Sequence, residues 1–125
     1  MTETVLIARD GAIATVTLNA PEKLNALDLA AWTRLGEAMA ELSADDSLRC
    51  LVLRGAGDKA FAAGADIGEF STVRRNSKLS KTYGERVAAT MQAVMDCRHP
   101  TVAMIRGACV GGGLCSLHQR LGPLR

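Results

Sequence analysis

Aromatic side chains are scarce in this sequence, where Phe, Trp and Tyr together make up 3% of the residues. Proteins that hold single-stranded nucleic acid stack its bases on such side chains, so the scarcity argues against that class. The formal net charge of +2 is small and dispersed, which leaves no strong attraction for a phosphate backbone. We therefore predict that the chain has no nucleic-acid partner.

Long apolar runs are absent as well. No run reaches the roughly 18 residues of a membrane-spanning helix, and Arg106 interrupts the longest candidate. Residues 1–4 contain no basic region followed by an apolar one, so no secretory signal is apparent. The 4 cysteines form no CxxC pair, which favours a reduced setting over disulfide bonding. We predict a cytoplasmic protein with no membrane partner.

Several catalytic motifs are missing. Neither the P-loop signature nor the G-x-S-x-G elbow of serine hydrolases occurs. The segment 55–60 has the form G-x-G-x-x-A of a dinucleotide-binding turn, but such a turn should open directly into a helix, and Phe-Ala-Ala-Gly follows instead. Cys115 and His118 could share a helix face, yet a closed zinc site needs four ligands. We predict no metal site.

The sequence does contain enough apolar material for one folded domain. With 125 residues, 48% hydrophobic and 22% charged, it is typical of a soluble globular protein. Two β-rich runs, 4–9 and 12–18, flank Asp10-Gly11, which is a strong hairpin signal. Further strands are predicted at 48–53 and 101–105, the second after a boundary at His99-Pro100. His99 is interpreted as a loop residue in preference to a catalytic base.

Two amphipathic helices are predicted between these strands. Asp28 is a suitable N-cap for the first helix. Apolar residues at helical spacing form its predicted core stripe: Leu29, Trp32, Leu35, Met39 and Leu42. The second stripe consists of Tyr83, Val87, Met91, Val94 and Met95. A basic stretch (Arg74, Arg75, Lys78, Lys81 and Arg86) is interpreted as a solvated face, with contact to an anionic group as the alternative.

Two turns rich in Gly and Ala follow the last two strands. They are Lys59-Ala-Phe-Ala-Ala-Gly-Ala-Asp-Ile-Gly68 and Gly107-Ala-Cys-Val-Gly-Gly-Gly-Leu114. A turn without bulky side chains lets backbone N–H groups approach a ligand closely, and two such turns suggest two donors for a developing oxyanion. The plainer interpretation of either turn alone is that Gly and Ala merely permit a tight bend.

Together and in this order, the two turns resemble those of the crotonase family, the enoyl-CoA hydratases and isomerases. The resemblance extends from about Val5 to Leu114 and includes Asn19-Ala-Pro-Glu-Lys-Leu-Asn-Ala-Leu27. The order of elements indicates an α/β fold but does not distinguish a doubly wound sheet from another α/β arrangement. The resemblance implies the ClpP/crotonase ββα superhelix, here incomplete at the C-terminus.

The resemblance also implies an acyl-CoA site. The backbone N–H groups of Ala65 and Gly112 would hold the thioester carbonyl oxygen. The nucleotide half of CoA would contact Lys23, Leu24 and Ala26, and the thioester half would contact Ala65, Asp66, Ile67, Gly68 and Gly112. Lys23 could instead be an ordinary loop lysine, and Asp66 a helix cap. Glu69, one helical turn later, could face the pocket or be a surface charge. No separate cofactor is implied, because coenzyme A is part of the substrate.

The chain departs from the family pattern at Cys115. The hydratases have a catalytic Glu at this position, and their second catalytic Glu lies beyond Arg125. We predict residues 1–114 to be the N-terminal part of a crotonase-like acyl-CoA-binding domain and 115–125 to be a divergent, truncated tail, since Gly122-Pro123 stops the helical pattern.

Two functions remain open at this point. The first is an enoyl-CoA hydratase or isomerase that acts on acyl-CoA thioesters in fatty-acid or related metabolism. The second is a non-catalytic truncated remnant that retains at most acyl-CoA binding or subunit association. The resemblance further implies a homo-oligomer, a trimer or hexamer, for the family's full-length chain.

Overall fold

The computed structural model describes residues 3–62, 77–105 and 108–109, which form two sheets and two α-helices. The larger sheet contains β1 (Val5–Asp10), β2 (Ile13–Leu18), β3 (Cys50–Gly55) and β5 (Thr101–Met104), in the order β1-β2-β3-β5. The smaller sheet pairs β4 (Ala60–Ala62) with β6 (Ala108–Cys109). The α-helices are α1 (Leu29–Ser43) and α2 (Ser77–Met95), and a short 3-10 helix spans Pro21–Lys23. Within the described ranges, no helix is both long and apolar enough to cross a bilayer.

The predicted N-terminal hairpin is confirmed. Strands β1 and β2 pair in antiparallel fashion, with Asp10 opposite Ile13 at the turn. Gly11 adopts a φ of 61°, a left-handed conformation that glycine accepts without steric cost. The turn chemistry read from the sequence therefore sets the register of the first two strands.

Parallel pairing extends the sheet from the hairpin. Strand β2 runs parallel to β3, and β3 runs parallel to β5. On β2 the inward residues are Ala14, Val16 and Leu18, whereas Ile13 remains 46% exposed. This settles the side-chain alternation of β2, which the loose spacing of its apolar residues left ambiguous. The inward face is completed by Leu51 and Leu53 of β3 and by Ala103 of β5.

Helix α1 covers that inward face. Asp28 caps the helix as predicted, because its carboxylate accepts a hydrogen bond from the Ala31 N–H at 2.8 Å. The core stripe is confirmed at Trp32, Leu35, Met39 and Leu42, which are at most 4% exposed, whereas Leu29 at the start of the helix is only partly buried. Burial of a side chain the size of Leu or Met stabilises a fold by about 1.5–3 kcal/mol. The apolar stripe of α1 is therefore the main contact between helix and sheet.

Helix α2 packs against α1 through a shorter stripe than predicted. Val94 is buried and Tyr83, Val87 and Met91 are partly buried, but Met95 is 40% exposed. Met95 follows Val94 directly, and neighbouring residues on a helix point about 100° apart. Three residues of the predicted basic stretch (Lys78, Lys81 and Arg86) lie on the exposed surface of α2, whereas Arg74 and Arg75 fall outside the described residues.

The two helices approach closely at Gly36. Thr90 is 1% exposed, and its hydroxyl donates a hydrogen bond of 2.7 Å to the carbonyl oxygen of Trp32. A Cβ atom on Gly36 would lie 2.9 Å from that hydroxyl oxygen. One turn away, the indole N–H of Trp32 donates to the Tyr83 hydroxyl at 3.1 Å. Polar groups between the helices are thus satisfied where the backbones come close.

The C-terminal end of α1 is held by the segment after α2. The Arg98 side chain donates from Nε to the carbonyl oxygen of Ser43 at 2.7 Å and forms an ion pair with Asp46 at 2.6 Å. His99 lies in the loop as predicted, with its Nε2 2.9 Å from the carbonyl oxygen of Asp45. A cation next to free carbonyl groups suits the negative end of a helix.

The two helical glycines should respond in opposite ways to the same substitution. Gly84 of α2 has open space around it, so Gly84→Ala should raise the free energy of unfolding by about 0.5–1 kcal/mol. Gly36→Ala should lower it by about 1 kcal/mol, because the new methyl group displaces the Thr90 hydroxyl from its hydrogen bond. Urea unfolding monitored by circular dichroism compares the two. Equal stabilisation of both variants would contradict the close contact.

Acid should weaken the contact between the hairpin and the end of α1. Hydrogen bonds from the Ser47 hydroxyl and N–H, followed by the Arg9 guanidinium, lower the pKa of the Asp45 carboxyl from 3.8 to about 2. A carboxyl whose pKa is lower in the folded state stabilises the fold fully above its unfolded pKa. That stabilisation is lost as the pH falls from 3.8 towards about 2. We expect Asp45→Asn to flatten the pH dependence of the unfolding midpoint in this window. A profile identical to that of the wild type would show that Asp45 does not contribute.

Candidate functional site

The small parallel sheet determines where the two Gly/Ala turns begin. Ala60 pairs with Ala108, and Ala62 pairs with Cys109, with an irregularity between the two pairs. Because β4 and β6 run parallel, their carboxyl ends leave the sheet at the same edge. Ligands of α/β proteins commonly bind outside the carboxyl ends of parallel strands. This edge is the first component of the candidate site.

The prediction of turns over 59–68 and 107–114 is wrong near the start of each segment, where β4 and β6 form strands. All three residues of β4 are buried, and Phe61 is 1% exposed within the main core. The segment is thus anchored by an aromatic side chain before the chain reaches Ala65. A strand that starts at Ala60 also confirms that 55–60 does not open into the helix of a dinucleotide-binding turn.

The loop at Ala20–Ala26 forms the second component. It is tightly folded, with the N–H groups of both Lys23 and Asn25 donating to the carbonyl oxygen of Ala20 at 2.9 and 2.8 Å. Leu24 and Asn25 both have positive φ angles, 55° and 60°. A left-handed conformation costs an ordinary residue about 1–2 kcal/mol, although Asn accepts it more readily than Leu. Contacts elsewhere must therefore hold this loop in shape.

Asn25 provides those contacts through its buried side chain, which is 1% exposed. Its Oδ1 accepts a hydrogen bond from the Ala20 N–H at 3.0 Å. Its Nδ2 donates to the carbonyl oxygen of Ala56 at 3.0 Å and to that of Ala60 at 2.8 Å. Both donors of the amide are thus used, and the loop is joined to the segment between β3 and β4.

Gly55, at the end of β3, makes this junction sterically possible. A Cβ atom at this position would lie 2.3 Å from the carbonyl oxygen of Phe61 and 2.6 Å from Nδ2 of Asn25. Such distances are far below any van der Waals contact, and the first one involves rigid backbone. Only glycine therefore allows the backbone of β4 and the Asn25 amide to approach β3 so closely.

A pocket of about 200 Å³ lies between the loop and the segment that connects β3 to β4. Its wall is formed by Pro21, Leu24, Asn25, Ala56, Gly57, Asp58, Lys59 and Ala60. Lys59 and Asp58 both contribute, so the charges of the wall balance and electrostatics alone do not select an anion. The 43% exposure of Leu24 leaves an apolar surface at the entrance.

A larger cavity, of about 570 Å³, lies at the opposite end of α1. It is a groove lined by Ala40, Ser43, Ala44, Asp46, Ala93, Asp96 and Arg98. With 15 residues, α1 is roughly 22 Å long, so this groove is remote from the loop at Ala20–Ala26, which lies just before the start of the helix. The smaller pocket is therefore the better candidate for the site.

The predicted nucleotide-contacting residues all lie in the loop next to the smaller pocket. Leu24 forms part of the pocket wall, and the Ala26 N–H donates to the carbonyl oxygen of Lys23 at 3.1 Å. The predicted residues of the thioester half lie outside the described residues: Ala65, Asp66, Ile67, Gly68 and Gly112. Glu69, Cys115 and His118 lie outside them as well. Asn25 was given no individual role from the sequence, although an Asn after Leu in a tight loop is a signal for a left-handed residue.

Comparison with known proteins identifies the class to which this fold belongs. Residues 8–118 match the model of the family described as enoyl-CoA hydratase/isomerase. A crystal structure of an enoyl-CoA hydratase/carnithine racemase from Magnetospirillum magneticum is 48% identical, with a TM-score of 0.85, and the alignment covers 91% of this chain and 43% of that one. The predicted crotonase fold is thereby confirmed, and the chain belongs to the enoyl-CoA hydratase/isomerase family.

Two curated relatives illustrate the range of activities within the matches. The Mycobacterium bovis protein Probable enoyl-CoA hydratase echA8 is 35% identical over 115 residues, which are 92% of this chain and 42% of the relative. The mitochondrial 3-hydroxyisobutyryl-CoA hydrolase of Bos taurus is 32% identical over 111 residues, 88% of this chain and 29% of the relative. The chain thus spans less than half the length of the relatives it matches.

Proposed function

We propose that this chain carries the acyl-CoA-binding part of an enoyl-CoA hydratase or isomerase, with an oxyanion hole formed by the N–H groups of Ala65 and Gly112. The observation that supports the proposal most directly is the parallel pairing of β4 with β6. Ala62 ends β4 three residues before Ala65, and Cys109 ends β6 three residues before Gly112. The two turns therefore begin after paired residues, at the same edge of the small sheet.

The spacing of paired strands suits such a hole. Neighbouring strands lie about 4.8 Å apart. Two N–H donors that each lie about 2.9 Å from one oxygen, at an ordinary angle, are separated by roughly the same distance. Preorganised donors of this kind stabilise the negative charge that a thioester oxygen acquires when its α-proton is removed. Loss of one donor typically slows such reactions by ~100- to 1,000-fold.

The two halves of the acyl-CoA substrate are assigned to different segments of the proposed site. The nucleotide half of CoA binds against the loop of Lys23, Leu24 and Ala26, next to the pocket of about 200 Å³. The thioester half binds along Ala65–Gly68 and Gly112. Coenzyme A enters as part of the substrate. A cytoplasmic location, a trimeric or hexameric assembly, and the division into 1–114 and 115–125 belong to the same proposal.

Cys115 favours the second candidate function, a protein that binds acyl-CoA without turning it over. It occupies the position at which the family's hydratases have a catalytic Glu. A thiol has a reference pKa of about 8.5, so little of it is ionised at neutral pH, and it holds a water molecule less firmly than a carboxylate. We therefore expect this chain to bind acyl-CoA but to catalyse little or no turnover.

The first test measures binding of acetyl-CoA and of CoA by calorimetry. We expect the wild type to bind both and to prefer the thioester, because only the thioester has a carbonyl oxygen for the two donors. Gly112→Pro removes one donor outright, so the preference should fall by roughly 10-fold, the equivalent of one hydrogen bond. Gly84→Ala serves as the control and should retain the preference. An unchanged preference in Gly112→Pro would contradict the assignment of the donors.

The second test measures hydration of crotonyl-CoA by loss of the enoyl absorbance. We expect the 125-residue chain to show little or no activity, since loss of a positioned acid or base commonly costs ~100- to 10,000-fold. Substantial turnover by monodisperse protein, abolished by Cys115→Ala, would show instead that Cys115 is a catalytic residue.

A further inference from the structure

We infer that Asn25 is a positioning residue that couples the nucleotide half of the acyl-CoA site to the thioester half. The inference rests on the proposed function, which assigns the loop of Lys23, Leu24 and Ala26 to the nucleotide and the turn after β4 to the thioester. Asn25 belongs to the pocket wall, but its side-chain amide is directed at the backbone of Ala20, Ala56 and Ala60. Its role is to make the two segments move as one.

On the loop side, the Asn25 side chain stabilises an arrangement that the backbone alone disfavours. Two consecutive residues, Leu24 and Asn25, have positive φ angles. The side-chain oxygen of Asn25 accepts from the Ala20 N–H at 3.0 Å, and its backbone N–H donates to the Ala20 carbonyl oxygen at 2.8 Å. Ala20 and Asn25 thus close the loop from both ends.

On the strand side, the same amide forms hydrogen bonds with the backbone at two residues. The Nδ2 group donates to the carbonyl oxygens of Ala56 and Ala60, at 3.0 and 2.8 Å. Ala60 is the first residue of β4 and pairs with Ala108 of β6. Gly55 lacks a side chain, and Nδ2 occupies space that a Cβ would fill, since such an atom would lie 2.6 Å from it. Movement of the loop away from β4 would therefore break the hydrogen bond between Asn25 and Ala60.

Such a rigid connection has a thermodynamic consequence. A ligand that orders the loop also orders β4, so a second ligand at the turn after β4 finds its site already ordered. Coupling between two sites is reciprocal, and typical values lie at about 5- to 150-fold in affinity. The nucleotide fragment and the thioester fragment of the substrate should therefore bind with positive cooperativity in this chain.

The experiment titrates the full chain with 3′,5′-ADP and with acetyl-pantetheine, each alone and in the presence of the other. We expect each fragment to strengthen binding of the other about 5-fold or more in the wild type. Asn25→Gly keeps the left-handed backbone and removes only the amide, so it should abolish the cooperativity. Asn25→Asp retains an acceptor for the Ala20 N–H but no donor for Ala56 and Ala60, and should abolish it too.

Asn19→Ala is the matched control. It removes an amide whose Nδ2 donates to the carbonyl oxygen of Glu3 at 3.0 Å, and not to Ala56 or Ala60, so it should retain the cooperativity. Hydrogen exchange provides a second readout: 3′,5′-ADP should slow exchange at Phe61 and Ala62 of β4, which do not line the pocket, as well as in 20–27 of the wild type. A purely structural role for Asn25 would not produce protection beyond the pocket wall.

The possible failures are distinguishable. Cooperativity that persists in either folded Asn25 variant overturns the inference alone. Independent binding of the two fragments by the wild type, without protection of Phe61 and Ala62, also overturns it and leaves the proposed function intact. That wild-type measurement decides the question even if neither variant folds. A wild type that binds neither fragment overturns the proposed function and this inference together.

Discussion

The buried side-chain amide of Asn25 joins three backbone segments, at Ala20, Ala56 and Ala60. A polar group at 1% exposure is costly unless it is hydrogen-bonded, and here both donors and one acceptor position are used. No apolar side chain could replace it without leaving the carbonyl oxygens of Ala56 and Ala60 to be satisfied in another way. The shape of the loop, the path of the chain after β3 and the position of β4 all depend on this contact.

The larger sheet and α1 act as the frame for that junction. The inward face of β2 and β3 and the stripe of α1 form the core, and Phe61 extends this core to β4. The site edge is therefore tied to the most deeply buried part of the domain, although it is built from small residues. Small residues suit an edge whose chemistry uses backbone groups, because side chains there would only keep a ligand away.

Local patterns were sufficient to predict much of this frame. The hairpin at Asp10-Gly11 and the cap at Asp28 depend on interactions within a few residues, and the stripe of α1 is visible as a local periodicity; the hairpin and cap were confirmed, as was the stripe from Trp32 to Leu42. Strand β4 has only three residues and no measurable periodicity, and it exists because β6 lies beside it. The contacts of Asn25 are likewise long-range. The paired turns were recognised through their resemblance to a family, and the donors assigned within them stay predictions.

The pairing of β4 with β6 also bears on the order in which the domain assembles. Ala60 and Ala108 are nearly fifty residues apart in sequence, whereas the hairpin joins residues that are almost adjacent. Closing a long loop costs entropy that is recovered only after its ends have paired. The hairpin and α1 can form early from local contacts, but the edge that carries the two turns can form only when nearly the whole described chain is in place. The edge that carries the two turns therefore forms late in folding, after the hairpin and α1.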